Sequence, residues 1–348
     1  MQFIKDDVNI NFIGNRKIAF FISASLIVLT IILLIYRGGP NLGVDFTGGI
    51  VIQVKMATAH SPAEIKDALV PVNLQNSIIQ EFGDKAQHEY LIRVQNPEIQ
   101  TEGLSDRVKA ALDAKFGGSV DMRNFEMVGP KVGKDLRDDA MFAIFFSILF
   151  IAIYISWRFE LKLLISIIMA ASLAIIVYIG DKVGISITWL TIVALLVTII
   201  LCWILNLKYA MGAIVALIHD VTITVGAFAL TDREVSLAII AALLTIVGYS
   251  LNDTIIVFDR IRENIKRFKK RDLADVMNAS INETLSRTIL TSGTTLIVVL
   301  ALFLLGGGVI HDFAFAMLVG IVVGTYSSIF VASPIILAWQ GRSDKKDK

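Results

Sequence analysis

Asp253 and Arg287 draw attention because both fall in apolar surroundings. Asp253 closes the segment TIVGYSLND at 245–253, where Thr245, Tyr249, Asn252 and Asp253 stand at i, i+4, i+7 and i+8 on one helical face. In the next apolar segment Thr284, Arg287, Thr288, Thr291, Thr294 and Thr295 recur at spacings of three or four. An ionisable side chain at mid-membrane costs about 2.5 to 3.5 kcal/mol on insertion scales, so it needs a partner, water or a function. The two residues lie equally far from the middle of their connecting segment near Lys270, so antiparallel helices can set them at one depth, toward the cytoplasmic side. Protonating Asp253 would release Arg287 from its counter-ion, and deprotonation would restore the attraction in a medium that screens it poorly. The plain alternative is an Arg287 that snorkels to the interface beside a locally hydrated Asp253. His219 and Asp220 form a second site, with Thr224 on the face of Asp220; it serves the same relay or a structural hydrogen bond between helices. Asp259, next to Arg260, reads as an interfacial ion pair.

Other chemistries lack their residues. The single cysteine, Cys202, excludes an internal disulfide, and four histidines without ligand spacing give no metal site. A net charge of +1 from 32 basic and 31 acidic residues offers no basic surface for nucleic acid. An intramembrane hydrolase would need a base for Ser250 in the Gly-Tyr-Ser stretch at 248–250, and none is evident. The sequence therefore predicts no enzyme, cofactor or metal.

The elements that must position these residues are membrane helices. With 348 residues, 55% of them hydrophobic, and a mean hydropathy of +0.70, the chain is too apolar for one soluble globule. A bilayer core of about 30 Å takes roughly 20 apolar residues per helix. Eight stretches qualify: 18–36, 140–157, 163–180, 185–205, 209–230, 237–258, 288–305 and 313–339. The first reads as an uncleaved anchor, since no Ala-x-Ala-like end follows it. Lys5, Arg16, Lys17, Arg158, Lys162, Lys208, the basic run 260–271 and a tail with Arg342 and Lys348 outweigh Lys182 and Arg233, which predicts both termini in the cytoplasm. Gly320 and Gly324 in the last span permit close helix approach, and tight packing is their simplest use. Residues 37–137 form one extracytoplasmic domain of ordinary soluble composition. It reads as strand 49–56, a helix opened by the capping box at Ser61 and Glu64 with Pro62 at its first position, strands 77–82 and 89–95, helix 101–116 and strand 120–128. That β-α-β-β-α-β order predicts a ferredoxin-like α+β domain. His60 and His88 in it read as surface residues.

Several motifs are shared with one family. They are NLGVDFTGG at 41–49, which contains Asp45, Phe46, Thr47, Gly48 and Gly49, VGPKVG at 128–133, WRFE at 157–160, ALIHD at 216–220, GYSLNDT at 248–254, FDRIREN at 258–264 and RTILTSGTT at 287–295. Together they resemble the SecF family of bacterial protein-export membrane proteins. The resemblance implies a subunit in the bacterial cytoplasmic (inner) membrane that pairs with SecD, belongs to the RND-type superfamily, assists the SecYEG translocon and uses the proton motive force to promote late export of preproteins. Protons would be the coupling ion and lipids the surroundings. It also implies that the family's membrane Asp and Arg are Asp253 and Arg287; from their spacing alone, Tyr249, Asn252, Thr291, His219 and Asp220 are candidate supporting polar residues. One departure is plain: the family usually has six spans, whereas this chain inserts roughly 45 apolar residues between Glu160 and Lys208, a hairpin at 161–207 that precedes a four-helix core at 208–339. An even number of crossings leaves later spans in the same orientation. A stand-alone efflux transporter of the same superfamily is the other reading, but such proteins carry two membrane halves and two outer domains.

Overall fold

The computed structural model describes residues 9–82, 87–94, 102–118, 120–161 and 163–346. Lys5, Gln95, Thr101, Lys162 and Lys348, used above as flanking charges or element ends, lie outside these residues. Backbone polar groups cannot stay unpaired in hydrocarbon, so each apolar run closes its hydrogen bonds within a helix. Among the described residues six helical stretches are long and apolar enough to cross a membrane: Arg16–Arg37, Pro130–Glu160, Lys208–Thr231, Leu237–Arg267, Leu273–Leu305 and Ile310–Trp339.

The first stretch is α1 (Arg16–Arg37), ended by Gly38 in the left-handed conformation. A short helix α2 (Val44–Thr47) follows, then the domain: β1 (Gly49–Lys55), α3 (Pro62–Ala68), β2 (Ile78–Phe82), β3 (Glu89–Val94), α4 (Leu104–Phe116) and β4 (Asp121–Val128). The sheet has the order β2-β3-β1-β4 with every neighbouring pair antiparallel. Alternation puts Ile50, Ile52, Val54 and Ile92 into a core closed by Ile65 of α3 and by Leu104, Val108 and Leu112 of α4. The capping box is present: the Glu64 amide donates to Ser61 Oγ and the Ser61 amide to Glu64 Oε2. The bond from the Ser61 amide holds the Glu64 carboxyl below its ordinary range.

From the domain the chain returns through α5 (Pro130–Ile155), which starts ten residues before the apolar run because Pro130 suits the first helical position. A π-helical turn, Ser156–Glu160, ends it. The inserted segment forms α6 (Leu163–Lys182) and α7 (Ile187–Ile204), whose apolar stretches Ile167–Gly180 and Trp189–Ile204 are shorter than those of the six helices above. The hairpin is tied to the bundle, for Leu173, Val177, Ala194 and Cys202 join a core cluster with residues of α5 and the next helix. Then come α8 (Lys208–Thr231), α9 (Leu237–Arg267), α10 (Leu273–Leu305) and α11 (Gly308–Ser327), followed by a π-helical segment, Ser328–Ala332, and α12 (Ser333–Lys346). Hydropathy placed the tenth helix from residue 288, but α10 starts at Leu273, since its first four turns are amphipathic.

Glycines set the closest approaches. A Cβ on Gly324 would lie 2.9 Å from the Ser250 Cβ, and one on Gly320 would meet Ile246, so α11 packs directly on α9. Gly48 has φ +73° and ψ 165°, a region open essentially to glycine alone, and its missing Cβ would lie 2.8 Å from the Pro130 Cα. The turn at 41–49 is thereby clamped to the start of α5. Gly48→Ala should cost about 1 to 3 kcal/mol of strain before the clash with Pro130 is counted. Thermal unfolding and protease sensitivity of the purified full chain check this: an unchanged midpoint and unchanged cutting would contradict the clamp.

Candidate functional site

Asp253 stands midway along α9 and is 1% exposed. Ser292 of α10 donates from Oγ to Asp253 Oδ2 at 3.2 Å, and Thr325 of α11 places its hydroxyl 2.8 Å from Ser292 Oγ. Asp253 Oδ1 is buried without a hydrogen-bond partner among the described residues. The acid therefore sits where three helices meet and holds one hydrogen bond where an ionised carboxylate can accept several. The inward stripe of α10 is Thr284, Thr288 and Ser292, all buried. Arg287 lies one residue, or about 100° of helix rotation, from that stripe. It is exposed and makes no ion pair within 4 Å among the described residues. The two sequence-predicted charges thus share a helix–helix junction without touching. Tyr249 donates to Thr295 Oγ1 at 3.2 Å beside them, Thr291 turns its hydroxyl to the backbone carbonyls of Arg287 and Thr288, and Asn252 is exposed.

His219 and Asp220, at the middle of α8, are 3% and 0% exposed and form a second polar centre. Asp220 Oδ1 lies 2.8 Å from His219 Nδ1, and Oδ2 accepts from Ser250 of α9 at 2.6 Å and from Ser327 of α11 at 2.8 Å. His219 Nε2 lies 3.1 Å from Ser23 Oγ of α1. One carboxyl group and one imidazole therefore join four helices. Sequence spacing did not single out Ser23, Ser292 or Tyr326, and it weighed Ser250 only as a nucleophile without a base; hydroxyls inside apolar runs were the available signal.

The motif at 41–49 binds both the domain and the helix that carries Asp253. Gly43 N donates to Val235 O at 2.9 Å, Val235 N to Asn41 O at 2.8 Å, and Leu237 N, at the first turn of α9, to Asp45 Oδ2 at 2.8 Å. Asp45 supplies the side-chain cap that Ser236, the N-cap residue of α9, does not make, from 192 residues away. Phe46 is buried against Val235 and Ile239, Thr47 bonds the Gly43 carbonyl, and Gly49 opens β1 opposite Val128. Ion pairs add to the joint: Arg93 of β3 with Glu234, Arg37 with Asp232, and Arg233 with Asp312. Burial pulls the Arg93 guanidinium down to about 10, which leaves it charged at neutral pH. At the opposite end of the bundle Asp259 pairs with Arg158 of the π-helical turn at 2.9 Å, not with its neighbour Arg260. Arg260 turns to Glu263 and Glu283 instead, because adjacent side chains on a helix do not face each other. Glu160 of the same turn accepts from Tyr209 N at 3.0 Å and caps α8. Among the described residues no group of three or more metal-binding side chains is assembled.

Comparison with known proteins matches two family profiles. "Protein export membrane protein SecD/SecF, C-terminal" covers residues 107–200 and 179–342, and "SecD/SecF GG Motif" covers residues 37–59. The chain belongs to the SecD/SecF family. The overlap of the two C-terminal matches falls inside the inserted α6–α7 hairpin. Similar relatives are Protein translocase subunit SecF of Magnetococcus marinus, 39% identical over 99% of this chain and 97% of that protein, and its namesake of Vibrio alginolyticus, 40% identical over 97% and 91%. A crystal structure of SecDF from Thermus thermophilus, a translocon-associated membrane protein, superposes with a TM-score of 0.72 at 30% identity over 97% of this chain. The chain spans 40% of the length of that solved chain. It is a protein-export subunit of the SecF kind, and the motif that defines the N-terminal match contains the Asp45 cap.

Removing that cap should be felt at α9. Asp45→Ala is expected to cost about 1 kcal/mol and to speed hydrogen exchange of the Leu237 amide by roughly fivefold, with exchange at Asp253 changed less. Unchanged exchange at Leu237 would contradict the long-range cap.

Proposed function

We propose that this chain is the SecF subunit of a proton-driven export motor: it pairs with SecD, assists the SecYEG translocon, and draws on the proton motive force to promote preprotein translocation. Family membership supports the pairing and the export role. The observation that carries proton coupling is Asp253, buried between α9, α10 and α11 with one carboxyl oxygen unbonded among the described residues. With a proton on Asp253 the junction is neutral. Without it, an anion stands among packed apolar side chains, held by a single serine hydroxyl. A partial rotation of α10 about its axis would replace Ser292 with Arg287 as the group facing Asp253. The proton would thereby select between two packings of α10 on α9. A membrane potential supplies about 2.3 kcal/mol per charge per 100 mV, enough to bias such an equilibrium. Because Asp45 bonds the first turn of α9 while the 41–49 turn packs closely on the first turn of α5, displacement of α9 would be passed to the sheet.

The strand order and the two helices packed with the sheet support a ferredoxin-like domain, proposed to lie outside the cytoplasmic (inner) membrane and to meet the emerging preprotein or the partner subunit. The α6–α7 hairpin is proposed to cross as two further spans, for eight in all, with both termini cytoplasmic. No catalytic role is assigned to the chain.

The test is export in vivo with Asp253→Asn and Arg287→Met, each at normal membrane abundance and with SecD still co-purifying. Both variants should slow export by at least about tenfold, the factor that a loss near 1.4 kcal/mol of coupling yields. Normal export in both would return the two residues to a structural role.

A further inference from the structure

The His219–Asp220 centre can be counted hydrogen by hydrogen. Four contacts run in series. Ala19 O lies 2.7 Å from the Tyr326 hydroxyl, which lies 3.1 Å from Ser23 Oγ. Ser23 Oγ lies 3.1 Å from His219 Nε2, and His219 Nδ1 lies 2.8 Å from Asp220 Oδ1. Each contact joins two electronegative atoms and needs one hydrogen between them. The Ala19 carbonyl brings none, and the Tyr326 and Ser23 hydroxyls bring one each. The remaining two must come from the His219–Asp220 pair, yet a neutral imidazole beside an ionised carboxylate brings only one. One contact would then be an oxygen–oxygen or oxygen–nitrogen approach with nothing between.

Charge points the same way. The pair lies 3% and 0% exposed at the middle of α8, and with one hydrogen it would carry a full negative charge there. Ser250 and Ser327 both bond Asp220 Oδ2, and no basic side chain forms an ion pair with it among the described residues except His219. Of the titratable groups on the helices packed around the pair, Tyr326 of α11 belongs to the chain of contacts and Asp253 lies one turn from Ser250 on α9. Arg16 and Lys17 of α1 and Lys208 of α8 lie at one end of the bundle, and the charged residues of α5 lie in its first turns at the other.

We infer that His219 and Asp220 form a second proton-binding site, separate from Asp253, and that the packing of α1 against α8 and α11 seen here is its proton-loaded form. The bound proton supplies the fourth hydrogen and makes the pair neutral, whether it rides on the imidazole or on the carboxyl. With the remaining hydrogen held between Nδ1 and Oδ1, its loss leaves two hydroxyl hydrogens for the three contacts from His219 Nε2 through Ser23 and Tyr326 to Ala19, so α1 is the helix that release would loosen. This site rests on the proton-coupled reading of the chain for its purpose but not for its existence.

The test uses the full chain in lipid nanodiscs with nitrogen-15 histidine. The His219 resonances are assigned by their loss in His219→Gln, and the Asp220 carboxyl is followed by infrared difference spectroscopy against Asp220→Asn. At pH 7 the pair should hold two hydrogens: an imidazolium with ionised Asp220, or a ring protonated on Nε2 with a protonated Asp220. One should leave on alkaline titration, and Asp253→Asn should leave the His219 signals in place. A ring with a single hydrogen beside an ionised Asp220 at pH 7 would overturn the site, as would a pair that keeps both hydrogens across the whole accessible range. His219→Gln should slow export several-fold at unchanged abundance, and normal export would overturn the part given to this site in export. The proton-coupled reading fails separately, by normal export in Asp253→Asn.

Discussion

Carboxyl groups carried into hydrocarbon by otherwise apolar helices are the constraint to which the rest of this structure answers. Asp220 and Asp253 are nearly fully enclosed, and donors from neighbouring helices meet each of them inside the bundle. Hence the hydroxyl side chains at Ser250, Ser292 and Ser327, and hence the glycines at 320 and 324 that let α11 come close enough to α9 to place them. The two acids are treated differently. Asp220 receives a histidine and two serines, whereas Asp253 receives one serine and keeps a bare oxygen. At Asp220 the bonds tie four helices through a shared set of hydrogens, whereas at Asp253 the unfilled acceptor leaves the packing of α10 for a proton to tip.

The same economy of polar contacts ties the membrane helices to the α+β domain. Asp45 satisfies an amide at the start of α9 that would otherwise lack an acceptor, and the reciprocal bonds between Gly43, Val235 and Asn41 make the motif turn an extension of the loop before α9. Gly48 and Gly133 allow that turn to press against α5. A rigid joint of this kind converts movement of one helix into movement of a folded domain, which a flexible linker would not do. Glu160 plays the matching role at the other end, capping α8 from a π-helical turn that Arg158 anchors to Asp259.

Much of this was legible in the sequence, for physical reasons that differ by element. Apolar runs and the Ser61–Glu64 capping box depend on neighbours along the chain, so the helices and the domain's succession of strands and helices were readable from pattern. Burial cost alone singled out Asp253 and the His219–Asp220 pair. Long-range partners were not readable: nothing near Asp45 announces the amide of Leu237, and Asp259 has a closer arginine in sequence than the one it binds. The early start of α10 escaped because hydropathy sees only the apolar part of a helix. Arg287 shows the limit of spacing rules, since one residue of offset turned it from the junction that Thr288 and Ser292 occupy.

The central claim is that the proton on Asp253 sets the packing of α9 and α10 and, through the Asp45 joint, the position of the domain. The direct measurement is the distance between a spin label on β4 and one at the α10–α11 turn, taken in vesicles holding the assembled complex, with and without a proton gradient. The account predicts that the gradient shifts the distance distribution in the native chain and leaves it fixed in Asp253→Asn. A native distribution indifferent to the gradient, or an equal shift in the variant, would contradict it.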